Sequence, residues 1–276
     1  MPTMNVNGAV VAYTDSGQPA DHPDAPTIVF GHGLLFSGWM FHPQIATLRH
    51  RFRCIAIDWR GQGETPPTAD GFDMDSLAAD AVSMIKALDV GPVHWVGLSM
   101  GGFIGQRIAA RHADLLKTLT LIDTSASSEG GAKSLRYKSL AWAFRAAGAR
   151  PLIRRVKPIL FSAHFLRDPR NAPLLETWVN QLTSTPRIGI YRAVRGVTDR
   201  SAVDEEIGSI EIPTLILVGA NDVITPPKRS EDIRDRIRGA RLEIIPDCGH
   251  TSTLEQPATV TRLLSDFLDE FTAPGR

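Results

Sequence analysis

The sequence predicts an α/β chain, with a mostly parallel central sheet covered by helices on both faces. Three observations carry this. Short apolar runs recur at Thr27–Phe30, Cys54–Ile57, Val93–Val96, Leu119–Ile122, Thr214–Val218 and Leu242–Ile245. They are continuous rather than alternating, as strands buried on both faces are. Segments of helical spacing lie between several of them, and the stretch Gly97-Leu98-Ser99-Met100-Gly101-Gly102 stands where one apolar run hands over to a helical one.

The elements follow in order. Val6 and Val10–Tyr13 flank Asn7-Gly8, a hairpin signal. The run at Thr27 ends in Gly31-His32-Gly33, and the run at Cys54 ends at Asp58. Between Ser76 and Leu88 the apolar residues Leu77, Ala81, Ile85 and Leu88 predict a helix, with Asp75 or Ser76 as its cap. Phe103–His112 reads as the helix after the glycine-flanked serine. Ser230–Ile237 and Thr259–Phe267 read as the last two helices.

From about Ser125 to Ser209 the rhythm breaks. This stretch holds no convincing strand, is rich in Arg, Ala and Leu, and is interrupted at Pro151, Pro158, Pro169, Pro173 and Pro186. Strand pattern resumes at Ile212-Pro213-Thr214. The expected organisation is a core of residues 1–124 and 210–276, with residues 125–209 inserted as a lid of short helices.

Composition excludes several classes of function. The 276 residues carry a formal net charge of +0, so the bulk charge points to neither nucleic acid nor an anionic membrane. No apolar stretch reaches the ~20 residues needed to span a bilayer. The opening Met1–Asn5 lacks the basic segment and apolar run of a secretory signal. The two cysteines, Cys54 and Cys248, belong to no metal-spaced cluster and are expected as free thiols in a reducing cytoplasm.

A serine between glycines at a strand-to-helix turn has the form of a nucleophile elbow. Gly97 and Gly101 lack side chains where backbones must approach closely, and the sharp turn lifts the Ser99 hydroxyl above the sheet edge. That hydroxyl needs a base to take its proton. Among the eight histidines, His250 lies in Asp247-Cys248-Gly249-His250, just past the last apolar run. Parallel strands end on one side, so His250 falls at the edge that presents Ser99. The acid that orients the base is expected to be Asp222, in Gly219-Ala220-Asn221-Asp222. Asp123, just past Leu119–Ile122, competes for that role. The oxyanion of an acyl-transfer intermediate needs backbone donors. The N–H groups of Met100 and Leu34 are the expected pair, with Leu35 as the fallback.

With these pieces assembled, the chain resembles the α/β-hydrolase superfamily over essentially its whole length. The matching residues are His32-Gly33, Asp58-Trp59-Arg60-Gly61-Gln62-Gly63, the elbow, Gly219–Asp222 and Cys248-Gly249-His250. The triad order Ser, Asp, His is that of this fold. The resemblance implies that Asp58–Gly63 is a structural turn near the site and not a catalytic group. In motif style and lid placement the chain is similar to 3-oxoadipate enol-lactonase-like esterases and lactonases. A serine at position 99 disfavours the chemistry of epoxide hydrolases and dehalogenases, which use Asp there, and of dienelactone hydrolases, which use Cys.

The reading is therefore a cofactor-free, metal-free serine hydrolase acting on a small ester or lactone. A C–C bond hydrolase, a perhydrolase or haloperoxidase, and a non-catalytic ligand receptor remain as alternatives. Between Lys133 and Arg170 stand ten basic residues and one acid, Asp168. That imbalance suggests steering of a carboxylate-bearing substrate towards Ser99. Trp39, Trp142 and Trp178, with Phe161 and Phe165, are expected to line the acyl pocket. Activity is expected to rise as His250 loses its proton near its ordinary value of about 6.5.

Overall fold

A computed structural model describes residues 1–272. The strands are β1 (Thr3–Val6), β2 (Ala9–Asp15), β3 (Thr27–Gly31), β4 (Arg53–Ile57), β5 (Val93–Leu98), β6 (Leu116–Ile122), β7 (Thr214–Gly219) and β8 (Arg241–Ile245). They form one sheet in the order β1-β2-β4-β3-β5-β6-β7-β8. β2 pairs antiparallel with β1 and β4, and every other pairing is parallel. The hairpin predicted around Asn7-Gly8 is thus the β1–β2 turn. Asn7 takes φ +45° and Gly8 φ +78° there.

The helices are α1 (His42–Leu48), α2 (Met74–Ala87), α3 (Met100–Arg111), α4 (Gly131–Ala147), α5 (Ile153–Leu160), α6 (Ala163–Arg167), α7 (Ala172–Ser184), α8 (Arg187–Thr198), α9 (Pro227–Arg234), α10 (Ser252–Glu255) and α11 (Pro257–Asp269). The sheet divides the core into two layers. One gathers α2, α3 and Ile233 of α9 against Val29, Trp95 and Ile216. The other gathers α1 and α11 against Phe30, Val96 and Leu217, and continues into the helices between β6 and β7. No helix among the described residues is long and apolar enough to cross a membrane.

Several boundaries differ from the sequence expectation, each for a local reason. α2 starts earlier than Ser76 because Asp73, not Asp75 or Ser76, is its cap; the Asp73 carboxylate accepts the Ser76 N–H at 2.8 Å. α9 and α11 start at Pro227 and Pro257, where a fixed φ and a missing N–H suit the first helical turn. α3 starts at Met100, three residues before the predicted Phe103, so the helix begins directly after Ser99. α1 lies in a stretch where no helix was predicted.

The parallel strands end at one edge. β4 and β5 lie on opposite sides of β3, so the loops after β3 and β5 diverge and leave a crevice between them. Ser99 follows β5, Asp123 follows β6, Asp222 follows β7 and His250 follows β8. The chain between β6 and β7 contains α4 to α8 and no strand.

Candidate active site

The turn after β5 is tight. Ser99 has φ +50° and ψ −106°, a left-handed conformation that a non-glycine residue holds at a cost of about 1–3 kcal/mol. Surrounding bonds fix it: the Ser99 N–H donates to Ile122 O at 2.8 Å, and Ser99 O accepts from the Thr124 hydroxyl at 2.9 Å. The flanking glycines are required by space. A Cβ on Gly97 would strike the Gly101 carbonyl, and one on Gly101 would strike the Gly31 carbonyl of β3.

The three residues selected from the sequence meet here. The Ser99 hydroxyl donates to His250 Nε2 at 2.9 Å, and His250 Nδ1–H donates to Asp222 Oδ2 at 2.8 Å. All are buried, with 6%, 4% and 3% exposure for Ser99, His250 and Asp222. Asp222 also accepts from the backbone N–H groups of Ile224 and Thr225 and from the Thr225 hydroxyl. Burial alone would push the Asp222 carboxyl up, but the neighbouring imidazole and these donors hold it below the ordinary carboxylate range. Burial likewise opposes charging of His250, and Asp222 outweighs it, so the imidazole sits above its ordinary value.

Asp123 occupies a different position. Its carboxylate accepts the Gly219 N–H at 2.9 Å and the Ser252 N–H at 3.1 Å, and it makes no hydrogen bond to His250. It joins the end of β7 to the start of α10, the two loops that bring in Asp222 and His250. Burial, reinforced by the Asp222 charge, pushes its carboxyl up to about 8.

The His250 loop is held from the other side as well. The His250 N–H donates to Leu160 O at 3.1 Å, and Glu255 accepts from the N–H groups of Ser162 and Gly249 at 3.0 and 3.1 Å. The α5–α6 turn is thereby bonded directly to His250 and its loop. None of Thr225, Glu255 or the clamping role of Asp123 was anticipated from the sequence. A signal existed for Thr225 alone, since an Asp bonding backbone N–H groups two and three residues on is a common turn.

Of the expected oxyanion donors, Leu34 and the fallback Leu35 lie in the loop after β3, and Met100 directly follows Ser99. Leu35, the fallback donor, is already engaged: its N–H donates to Gln62 Oε1 at 2.9 Å and its carbonyl accepts from Trp178 Nε1 at 3.2 Å. The N–H groups of Leu34 and Met100 have no acceptor among the described residues. Met100 opens α3, where unpaired N–H groups and the helix dipole favour negative charge. The Asp58–Gly63 stretch acts as scaffold. Asp58 accepts from Gly38 and Glu64 N–H groups, and His32 Nε2 accepts the Trp59 N–H at 3.0 Å. His32 is enclosed, and burial lowers it to about 4, so it stays a neutral structural imidazole.

Ser99 and His250 open into a cavity of about 120 Å³ walled by apolar side chains, among them Phe103, Leu140, Phe144, Val156 and Ile190. Here the aromatic expectations need correction. Trp142 is 66% exposed, on the outer face of α4. Trp178 is wholly buried between Phe36 and Phe161, and the stacked Phe161–Phe165 pair shares that core. Trp39 lines a separate, more polar cavity with His42, Asp58 and Glu64. A helical spacing marks which side chains share a face, but not whether that face meets solvent, core or cavity. The expected carboxylate guidance also finds no cation in the cavity wall. Among the described residues, no Lys or Arg lines it, and its one acid is Glu129.

A family model described as the alpha/beta hydrolase fold matches residues 26–257. The chain belongs to the α/β-hydrolase fold family. This α/β hydrolase is 29% identical over 247 residues to 3-oxoadipate enol-lactonase 1 of Acinetobacter baylyi, covering 89% of each chain. Among solved structures, it is similar to the enol-lactonase from Burkholderia xenovorans LB400, with a TM-score of 0.89 and 27% identity over 97% of this chain and 100% of that one. It is also similar to a malate-bound thermophilic esterase from Thermogutta terrifontis, with a TM-score of 0.88 and 27% identity over 98% and 97% of the two chains.

Proposed function

We propose that this α/β hydrolase is a serine hydrolase that cleaves a small ester or lactone through an acyl-enzyme. The observation that carries the reading is the unbroken relay from the Asp222 carboxylate through His250 to the Ser99 hydroxyl, at the mouth of an apolar cavity. The likeness to enol-lactonases and an esterase supports the choice of an acyl substrate.

In this mechanism His250 Nε2 takes the Ser99 proton as Oγ bonds to the carbonyl carbon. The carbonyl electron pair moves onto oxygen, and the Leu34 and Met100 N–H groups stabilise that oxyanion. Collapse re-forms the carbonyl and breaks the bond to the leaving oxygen, which takes the proton from His250. Water then gives a proton to His250 as it adds to the acyl carbon. Ser99 leaves with that proton, and the acid is released. Asp222 holds the imidazole in the tautomer that accepts from Ser99 and stabilises its charged form.

Residues 125–209 act as the lid over a core of 1–124 and 210–276. The two cysteines, both buried and unpaired, suit a reducing cytoplasm. The test is hydrolysis of p-nitrophenyl acetate by purified protein, with trapping of an acyl adduct on Ser99. No turnover and no adduct across an ester and lactone panel would sink the reading. Peracid formation from acetate and peroxide, or cleavage of a vinylogous diketone, identifies the perhydrolase and C–C hydrolase alternatives.

A further inference from the structure

We propose that the substrate portion entering the cavity is uncharged and apolar, and that Glu129 is the specificity residue that turns away carboxylates. This rests on the hydrolase reading and narrows its substrate class, against the expectation raised by the basic composition of the lid.

The cavity wall offers almost nothing to an anion. Most of its side chains come from α3, α4, α5 and α8 and are aliphatic or aromatic; the hydroxyls are those of Ser99, Tyr137 and Thr198, the last already donating to Arg195 O. A carboxylate buried against such a surface loses its hydration without replacement. The wall's one carboxylate, Glu129, offers an incoming carboxylate acceptors and no donor. Glu129 is itself nearly buried, with 8% side-chain exposure. Two cations hold it in place, and neither lines the cavity. Arg200 lies 3.3 Å from Glu129 Oε2, donates to the carbonyls of Val197 and Ser127, and covers the Phe103 ring at 4.1 Å. Lys133 lies 3.3 Å from Glu129 Oε1 and donates to the Ile224 carbonyl. Both cations are thus satisfied by groups of the protein, and the acid is the member of the cluster that lines the substrate space.

None of the remaining lid cations lines the cavity. Lys138 pairs with Asp199, Arg145 lies over the Tyr191 ring, and Arg170 pairs with Asp168. Arg136 and Arg155 line an outer groove.

The experiment compares p-nitrophenyl hexanoate, mono-p-nitrophenyl adipate and its neutral methyl diester on the full chain. In the acetate-to-hexanoate series kcat/KM is expected to rise about fourfold per methylene, as apolar burial dictates. The methyl diester should stay near the hexanoate, and the half-ester should fall at least about 100-fold below it. Glu129→Gln should narrow that gap by about tenfold, and Ala141→Phe, which fills the wall, should lower the hexanoate-to-acetate ratio. A half-ester turned over as well as the hexanoate overturns the proposal and leaves the hydrolase reading standing. If no ester reacts, the hydrolase reading falls, and binding to the Ser99→Ala protein decides the pocket's selectivity. Hexanamide binding at least tenfold tighter than adipate monoamide supports an uncharged ligand; equal binding overturns it. That binding measurement also serves should Glu129→Gln not fold.

Discussion

Ser99, His250 and Asp222 form a hydrogen-bonded relay, and in the proposed mechanism each has one job, so their loss should differ in kind from loss of Asp123. Ser99→Ala and His250→Ala should each abolish hydrolysis of p-nitrophenyl acetate. Asp222→Asn should lower kcat by about 10⁴, because the amide favours the wrong imidazole tautomer. Asp123→Asn should be much milder, and the reverse ranking would transfer the acid role to Asp123. The pH profile follows from the same contacts. His250 accepts a proton only when neutral, so activity climbs with pH through its pKa. Burial lowers that value and the Asp222 charge more than restores it, so the midpoint should lie above the ordinary 6.5 expected from sequence. Burial pushes the Asp123 carboxyl up to about 8, so it is largely uncharged while His250 titrates, and Asp123→Asn should leave the midpoint nearly in place. A kcat/KM profile of both proteins checks the two statements. Ser99, Asp222 and His250 were legible because turn glycines and strand ends mark them. Trp142 and Trp178 were misread because nothing in a residue's type says which side of its helix meets solvent.

Between elements, the His250 loop is held by two carboxylates: Asp123, which the sequence offers only as a competing acid, and Glu255, which it does not single out. Asp123 ties β7 to α10, and Glu255 ties the α5–α6 turn to the His250 loop. Three of those contacts, to Gly219, Ser252 and Ser162, join residues far apart in the chain, which no local pattern reveals. Glu255→Ala leaves the Ser162 and Gly249 N–H groups without their acceptor, a penalty of about 1–3 kcal/mol. We expect kcat to fall about tenfold with little change in KM, and Glu255→Gln to recover part of it. An equal rise in KM instead would mark a role in substrate binding. The glycine turn makes a harsher demand. Gly97→Ala and Gly101→Ala place a methyl group against backbone, so both should lower soluble yield and thermal stability.

For the molecule as a whole, Arg60 explains the motif turn that carries no catalytic group. Its guanidinium bonds both Asp80 oxygens at 2.7 and 2.8 Å, with 4% and 1% side-chain exposure, and also donates to Asn7 O. One buried ion pair thus joins the Asp58–Gly63 turn, α2 and the β1–β2 hairpin. Removing one partner leaves a buried charge alone, so Arg60→Ala or Asp80→Ala should lower stability by about 3–5 kcal/mol. Urea unfolding measures it, and a loss under 1 kcal/mol would show that water reaches the orphaned charge.

By itself the sequence determined the sheet, the order of its strands along the chain, the serine turn and the two loops that complete the relay. These are written in local signals: apolar runs, glycines at close approaches, and polar residues just past strand ends. The tertiary structure alone decided the character of the cavity at Ser99 and His250. Of the basic residues that dominate the segment between β6 and β7, Lys133, Lys138, Arg145 and Arg170 have partners, Arg136 and Arg155 line an outer groove, and none lines the cavity, where Glu129 and mostly aliphatic side chains stand. Net charge is a sum over a segment, whereas a substrate meets only the atoms that face it, and facing is settled by how the helices pack.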